Sequence, residues 1–273
     1  MNSGTGSLEE LAQTIRSLAD GFLVVTTGAG ISLASGIPTF RGTDPDAVWK
    51  RDVMELATNA YFLEDPVGSW HWYLSRFGNL LGKRPNPAHK ALVALERWHE
   101  DRGGTFLLIS QNVDTLHEQA GSKQLVKVHG RADRVRCSRV GCPNGAPQGT
   151  LTRDPEAEAA FMANPCEATI PRCPACGSYL RQHVLLFDER YDSHEDYEWD
   201  RVVRAAFAAD MHLFVGTSFS VGVTDLLLGS ALQLGRPAFL IDPGLRPPPG
   251  VVLIRQPAEE ALPALLTMLG IAP

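Results

Sequence analysis

Short apolar runs recur along this chain, and each one stops at a small or polar residue. Residues 22–26 open into Gly28-Ala29-Gly30, 106–110 into Gln111-Asn112-Val113-Asp114, and 125–128 into His129-Gly130. Residues 211–215 open into Gly216-Thr217-Ser218, and 238–241 into Asp242-Pro243-Gly244. Unbroken apolar runs of this length predict strands buried on both faces. Between them the period changes to that of helices. Ser7 and Glu10 suit a capping box ahead of Leu8, Leu11, Ile15 and Leu18, with Gly21 as the C-terminal stop. Residues 87–99 place Ala88, Leu92, Val93 and Leu95 on one face, and 258–270 carry Leu262, Leu265, Leu266 and Leu269. The alternation predicts an α/β fold on a doubly wound, parallel, Rossmann-like sheet, with ligands beyond the carboxyl ends of the strands.

Two regions interrupt that alternation. From 43 to 85 the pattern is helical and aromatic, with Trp49, Tyr61, Phe62, Trp70, Trp72, Tyr73 and Phe77, and it reads as a helical insertion lying over the site. Residues 131–182 hold all five cysteines, several prolines and few strong helical runs, which predicts a small inserted domain with its own stabiliser. The Rossmann-like part then comprises 1–42, 86–130 and 183–273, with strand character resuming at 184–187. Composition narrows the function without changing the fold. Hydrophobic residues are 44% and charged residues 21% of 273, an ordinary globular balance. A net charge of −6 and a pI near 5.8 argue against a general nucleic-acid or anionic-membrane surface. No apolar run reaches the length of a membrane span. The polar start lacks a signal-peptide pattern, and four of the five cysteines form close pairs, so a reducing, cytoplasmic setting is expected.

The strand ends carry the candidate chemistry. Gly28-Ala29-Gly30 follows a strand, and 31–35 suits the first turn of a helix, together a cradle for a pyrophosphate. The competing reading is a tight strand-to-loop turn. Pro38, Phe40 and Arg41 add a stiff turn, a ring and a fixed cation just beyond. A histidine at a strand end, with an ordinary pKa of roughly 6.5, can take a proton near neutral pH. Alternatively His129 is a satisfied core histidine, and Asn112 and Asp114 cap a turn. Cys137-x4-Cys142 and Cys173-x2-Cys176 suit a closed tetrahedral zinc site, with Arg136, Arg139 and Arg172 expected to favour the thiolates. Two disulfides are the alternative. Cys166 falls outside both pairs, as a bystander or an exchangeable fifth ligand.

Taken together, Gly28-Ala29-Gly30-Ile31-Ser32, the stretch Gly36-Ile37-Pro38-Thr39-Phe40-Arg41-Gly42, Gln111-Asn112-Val113-Asp114, His129-Gly130 and Gly216-Thr217-Ser218 resemble the signature motifs of the sirtuins, the NAD-dependent protein lysine deacylases. The resemblance runs from about residue 21 to 265. It implies NAD and a structural zinc as cofactors and an acyl-lysine protein as partner; from the charge and the lack of a membrane-length run, no direct nucleic-acid binding and no membrane are expected. By the same resemblance His129 is the general base acting on a ribose hydroxyl once the acyl oxygen has displaced nicotinamide, and Asn112 orients the ribose and a water. Gln111 and Asp114 would contact ribose and nicotinamide. Gly28, Ala29, Ser32, Phe40, Arg41, Gly216, Thr217, Ser218, Asp242 and Ala258 would complete the cofactor set. Phe187 and Val221 would line the acyl-lysine channel. Tyr73 and Arg76 stand where desuccinylase and demalonylase members carry a carboxylate-binding pair, and i, i+3 positions share a helix face. The alternative there is a surface arginine beside a packed tyrosine.

Three departures qualify the resemblance. Residues 184–189 read Val-Leu-Leu-Phe-Asp-Glu, so Asp188 replaces the glycine beside which a peptide adds as a strand. Val221 is followed by Gly222-Val223, without the family's proline. Asp242 stands where an asparagine often meets a ribose. The expected activity is removal of acetyl, succinyl or malonyl groups from lysine. An ADP-ribosyltransferase or NAD glycohydrolase, and a non-catalytic NAD sensor, are the other readings.

Overall fold

The computed structural model describes residues 4–38 and 51–272. Its elements begin with α1 (Leu8–Ser17), β1 (Phe22–Thr27), a 3-10 segment (Ala29–Ser35), α2 (Arg51–Leu56), α3 (Asn59–Glu64), α4 (Pro66–Phe77) and α5 (Pro87–Glu100). They continue with β2 (Thr105–Ser110), α6 (Leu116–Ala120), β3 (Leu125–Lys127), β4 (Gly130–Cys137), β5 (Leu151–Thr152), α7 (Pro155–Ala163) and β6 (Leu180–Val184). The last are α8 (Trp199–Ala208), β7 (Met211–Val215), α9 (Gly222–Gln233), β8 (Ala238–Ile241), β9 (Val252–Ile254) and α10 (Ala258–Leu269).

Among the described residues, six parallel strands form one sheet in the order β3-β2-β1-β7-β8-β9. Successive side chains of a strand point to opposite faces, and the core divides accordingly. Leu23, Val25, Phe106, Leu108, Leu213 and Val215 pack with α1, α5 and α10, while Val24, Leu107, Ile109, Phe214 and Leu240 pack with α8 and α9. Both faces are covered, which is why these strands are apolar without alternation. Each fully buried aliphatic side chain contributes roughly 1.5–3 kcal/mol. The strand order reverses between β1 and β7, so the ligand crevice lies beyond their carboxyl ends.

The Ser7 side chain caps α1 by accepting from the Glu10 amide. The turn after α1 differs from expectation: the left-handed residue is Ala19, at φ 52, and Gly21 instead lies close under the Leu18 carbonyl and Asp210. The segment after β1 is a 3-10 turn rather than an α-helix. Gly36, at φ 75, ends it by donating to the Leu33 carbonyl, and Asn86 clamps it to α5 by donating to the Ile31 carbonyl and the Ser35 hydroxyl. Strand character also ends earlier than predicted. It runs over Leu180–Val184 and stops before Leu185.

That strand belongs to a second, three-stranded antiparallel sheet in the order β5-β4-β6. The helical insertion shares a core with it. The Trp70 indole donates to the Leu180 carbonyl at 2.7 Å and its ring meets Phe161 at 5.9 Å, while Phe62, Tyr73 and Leu74 join Val135 and Ile170. The sequence signals missed α7, although Asp154 caps it with Pro155 in its first turn.

Candidate functional site

Five strand ends reach the crevice, and hydrogen bonds tie four of them together. Asn112, just past β2, donates from Nδ2 to the Gly28 carbonyl at 3.0 Å and to the Ser32 hydroxyl at 3.1 Å. Because a carbonyl can only accept, these bonds fix which end of the amide is nitrogen and leave its Oδ1 as the atom offered to a ligand. Ser32 donates in turn to Asp114 Oδ2 at 2.9 Å, and Asp114 Oδ1 accepts from the Leu116 amide. Gln111 Nε2 donates to Thr217 Oγ1 at 2.9 Å, across to the loop after β7. Ser32, Asn112, Asp114 and Thr217 are all buried, so a missing partner would leave a desolvated polar atom.

The glycines of the cradle are explained by the neighbouring loop. A Cβ on Gly28 would stand 2.7 Å from the Gly216 carbonyl oxygen, and one on Gly30 would stand 2.6 Å from Gly216 Cα. The Gly28 and Gly30 amides donate to the Val215 and Gly216 carbonyls at 3.0 and 2.9 Å. Gly216 itself has φ 57. These amides therefore join two loops, a correction to the picture of free donors awaiting a phosphate.

His129, immediately after β3, is half-buried. Its Nδ1 lies 2.8 Å from the Gln111 carbonyl oxygen, so Nδ1 carries the proton and Nε2 the lone pair. Burial pulls its pKa down to about 4, the Gln111 bond opposes the drop, and the Lys127 charge adds to it. Nε2 faces the Tyr191 hydroxyl at 3.4 Å. Below the pocket floor, Lys127 is buried, its Nζ donates to the Asp114 carbonyl, and burial lowers its pKa. His117 Nε2 meets Thr27 Oγ1 at 3.0 Å. Sequence reasoning missed Tyr191, Lys127 and His117.

The remaining predicted residues divide. Ser218 and Ser220 share a 2.7 Å hydroxyl contact, and Asp242 Oδ1 accepts from the Gly244 and Leu245 amides, leaving Oδ2 for a ligand. Ala29 starts the 3-10 segment and Ala258 starts α10. Phe40 and Arg41 lie outside the described residues. Val221 caps α9 with its backbone, and Phe187 is exposed while its amide donates to the Ala57 carbonyl at 3.0 Å. Asp188, the residue in the glycine position, accepts from the Asn59 and Ala60 amides at 2.7 and 2.9 Å and so anchors the start of α3. Tyr73 and Arg76 part company. Tyr73 is buried with its hydroxyl unbonded, whereas Arg76 is exposed with its guanidinium 5.6 Å over Trp72.

The Sγ atoms of Cys137, Cys142, Cys173 and Cys176 lie within 4.8 Å of one another. Cys137–Cys176 are 3.5 Å apart and Cys142–Cys173 are 3.7 Å apart, far too long for disulfides. A tetrahedral zinc with bonds of about 2.3 Å holds its sulfurs about 3.8 Å apart, so the four thiols fit that ion. The expected arginine support is different in kind. Arg136 turns away to Glu189 at 2.7 Å and to the Tyr197 hydroxyl, Arg172 stacks on Tyr179, and Arg139 helps through its backbone amide, which donates to Cys137 Sγ. Cys166 stays outside, beside the Thr169 hydroxyl. A second cluster, His183 with His194 and Asp196, also lies within 4.8 Å. There His194 already accepts at Nδ1 from the Asp196 amide and faces the Gly149 carbonyl with Nε2, so the cluster lacks a third free lone pair.

A six-stranded parallel sheet, a polar crevice at its switch point and a four-thiol knot on an inserted sheet define the class, and the comparisons agree. The family model described as Sir2 family matches residues 28–223, and the chain belongs to that family. It is 39% identical to an NAD-dependent protein deacylase of Thermus thermophilus over 265 residues, 95% of each chain. It is 38% identical to NAD-dependent protein deacylase 1 of Pseudomonas aeruginosa over 252 residues, 89% of this chain and 92% of the relative. A solved Sir2 homologue–NAD complex superposes with a TM-score of 0.77 at 33% identity, covering 99% of this chain and 96% of that one.

Proposed function

We propose that this protein removes acyl groups from lysine side chains of proteins in an NAD-dependent reaction that yields free lysine, nicotinamide and O-acyl-ADP-ribose. One observation carries the reading above the others. Hydrogen bonds bring the tips of β1, β2, β3 and β7 to one crevice and leave His129 Nε2 unprotonated there. NAD, when bound, supplies a ribose carbon activated by its nicotinamide leaving group. The protein's part is to position two substrates and to hold a proton acceptor beside them. Asn112 Oδ1, the Ser218 hydroxyl and Asp242 Oδ2 provide acceptors and donors of the kind that riboses use, and His129 Nε2 accepts the proton of a substrate hydroxyl. Zinc at the four cysteines would brace the small sheet and take no part in the chemistry, since all four positions of a tetrahedral ion are filled. Reduced cysteines of this kind fit the cytoplasm.

The acyl group is assigned first to acetyl. For a carboxylate-bearing acyl chain the geometry offers less, because Tyr73 has turned into the core and Arg76 would meet the carboxylate without it. A second reading has its own motive. The Phe187 amide and the Asp188 carboxylate already hold the α2–α3 region, where an added peptide strand would otherwise pair, and an NAD glycohydrolase or ADP-ribosyltransferase needs no such strand. Incubation with NAD and acetyl- or succinyl-peptides separates the readings. Peptide-dependent nicotinamide release supports deacylation. Release at the same rate without peptide discards it in favour of the second reading, and binding without turnover discards both.

A further inference from the structure

One departure from the family pattern reaches His129 through Tyr191. Tyr191 follows the Phe187-Asp188-Glu189 segment, and Val223 occupies the position of the missing proline. The Val223 amide donates to the Tyr191 hydroxyl at 3.3 Å, a bond that a proline, lacking the N–H, could not make. With its oxygen so engaged, the phenol's own proton points to the remaining neighbour, His129 Nε2 at 3.4 Å. The ring is fixed from both sides: it stacks on Trp199 at 4.4 Å and 16°, and lies against Gly222, where a Cβ would come within 3.5 Å of it.

We infer that Tyr191 is a positioning residue for His129. A line of hydrogen bonds runs from the Val223 amide through the Tyr191 hydroxyl to Nε2, and from Nδ1 to the Gln111 carbonyl, and it holds the imidazole in one tautomer and one plane until a substrate hydroxyl takes the place of the phenol. The inference rests on the reading of His129 as proton acceptor. A phenol proton on Nε2 favours the neutral ring, since that lone pair exists only when Nε2 is unprotonated. Removing the phenol proton therefore makes His129 easier to protonate. The charged groups facing the pair are Lys127 on the His129 side and Asp225 on the Tyr191 side, with Arg190 and Asp192 paired to each other on the same loop.

The test is an NMR titration of the His129 imidazole in the full-length protein, alongside the pH dependence of kcat/KM for peptide-dependent nicotinamide release. In Tyr191→Phe the His129 midpoint should rise by about half a pH unit or more, and the acid limb of kcat/KM should move with it while NAD affinity stays within about twofold. Val223→Pro should shift the midpoint in the same direction, and Val223→Ala, which keeps the N–H, should leave it in place. An unchanged His129 midpoint in Tyr191→Phe overturns the inference. The titration needs no turnover, so it still reads the Tyr191 contact if the deacylase assignment itself fails.

Discussion

At the scale of the residue, His129 is defined by what each nitrogen faces. Nδ1 donates to a carbonyl that cannot give a proton back, so only Nε2 is left to accept one. His129→Ala should keep NAD binding and lower peptide-dependent turnover by about a hundredfold or more, as loss of a positioned general base does. Calorimetry and steady-state nicotinamide release check the two halves, and undiminished turnover removes the role. Arg76 carries the corresponding question for the acyl group. Arg76→Met should raise KM for a succinyl-peptide well beyond its effect on an acetyl-peptide if the guanidinium reads a carboxylate. Equal effects on the two peptides assign the site to neutral acyl groups.

The elements are held together by backbone as much as by side chains. The loop after β1 and the loop after β7 touch through glycines, and a methyl group on Gly30 would meet Gly216 backbone that has nowhere to go. Gly30→Ala should therefore lower the urea midpoint and weaken NAD binding at least about tenfold, both read on the same preparation. What is legible in the sequence follows from the same physics. β1, β2, β7 and β8 are plain because a strand covered on both faces needs an unbroken apolar run. The motifs at their ends are plain because a switch-point crevice collects small and polar residues from several strands. The 3-10 turn reads as an α-helix in the sequence because its end depends on Gly36 and its hold on Asn86, some fifty positions along the chain. α8 carries a clear amphipathic pattern, with Val202, Ala205 and Ala206 buried, that sequence reading passed over, whereas β9 and α9 give weak local patterns and owe their place to tertiary packing. Tyr191 is invisible for a related reason. It meets His129 across 62 positions of sequence, and no local spacing records that. Asp188 stands out as unusual in the sequence, yet its use, anchoring α3 through two amides, emerges only from the fold.

Taken whole, the molecule stores an acid sensitivity in its histidines. Burial lowers the pKa of His89, His117, His129, His183, His194 and His212, six of the eight. His212 is the simplest, with burial as the sole cause, a pKa near 4 and both ring nitrogens unbonded. Unfolded, such a group titrates near 6.5, so between about 6.5 and 4 the unfolded chain binds the extra proton. Stability is therefore complete above that window and falls as the pH drops through it. The urea midpoint should decline from pH 7 to pH 5, and His212→Leu should recover about 2 kcal/mol at pH 5 while changing little at pH 7. A midpoint insensitive to pH over that range, or a substitution with equal effect at both, rules this out. Chelation is the other global test. If the four cysteines hold zinc as proposed, a chelator should lower the thermal midpoint and melt the small sheet before the six-stranded one, as read by hydrogen exchange in β4 and β6 against β1 and β7.

One strand gives that test an unexpected reach. β4 starts at the residue after His129 and ends on Cys137, so one eight-residue strand, irregular between Gly130 and Val135, links the proposed proton acceptor to a proposed zinc ligand. With zinc at the four cysteines, an agent that merely pulls it out would masquerade as a blocker of the reaction cleft in any single-point assay. Its slow onset, and reversal on adding the ion back, would unmask it.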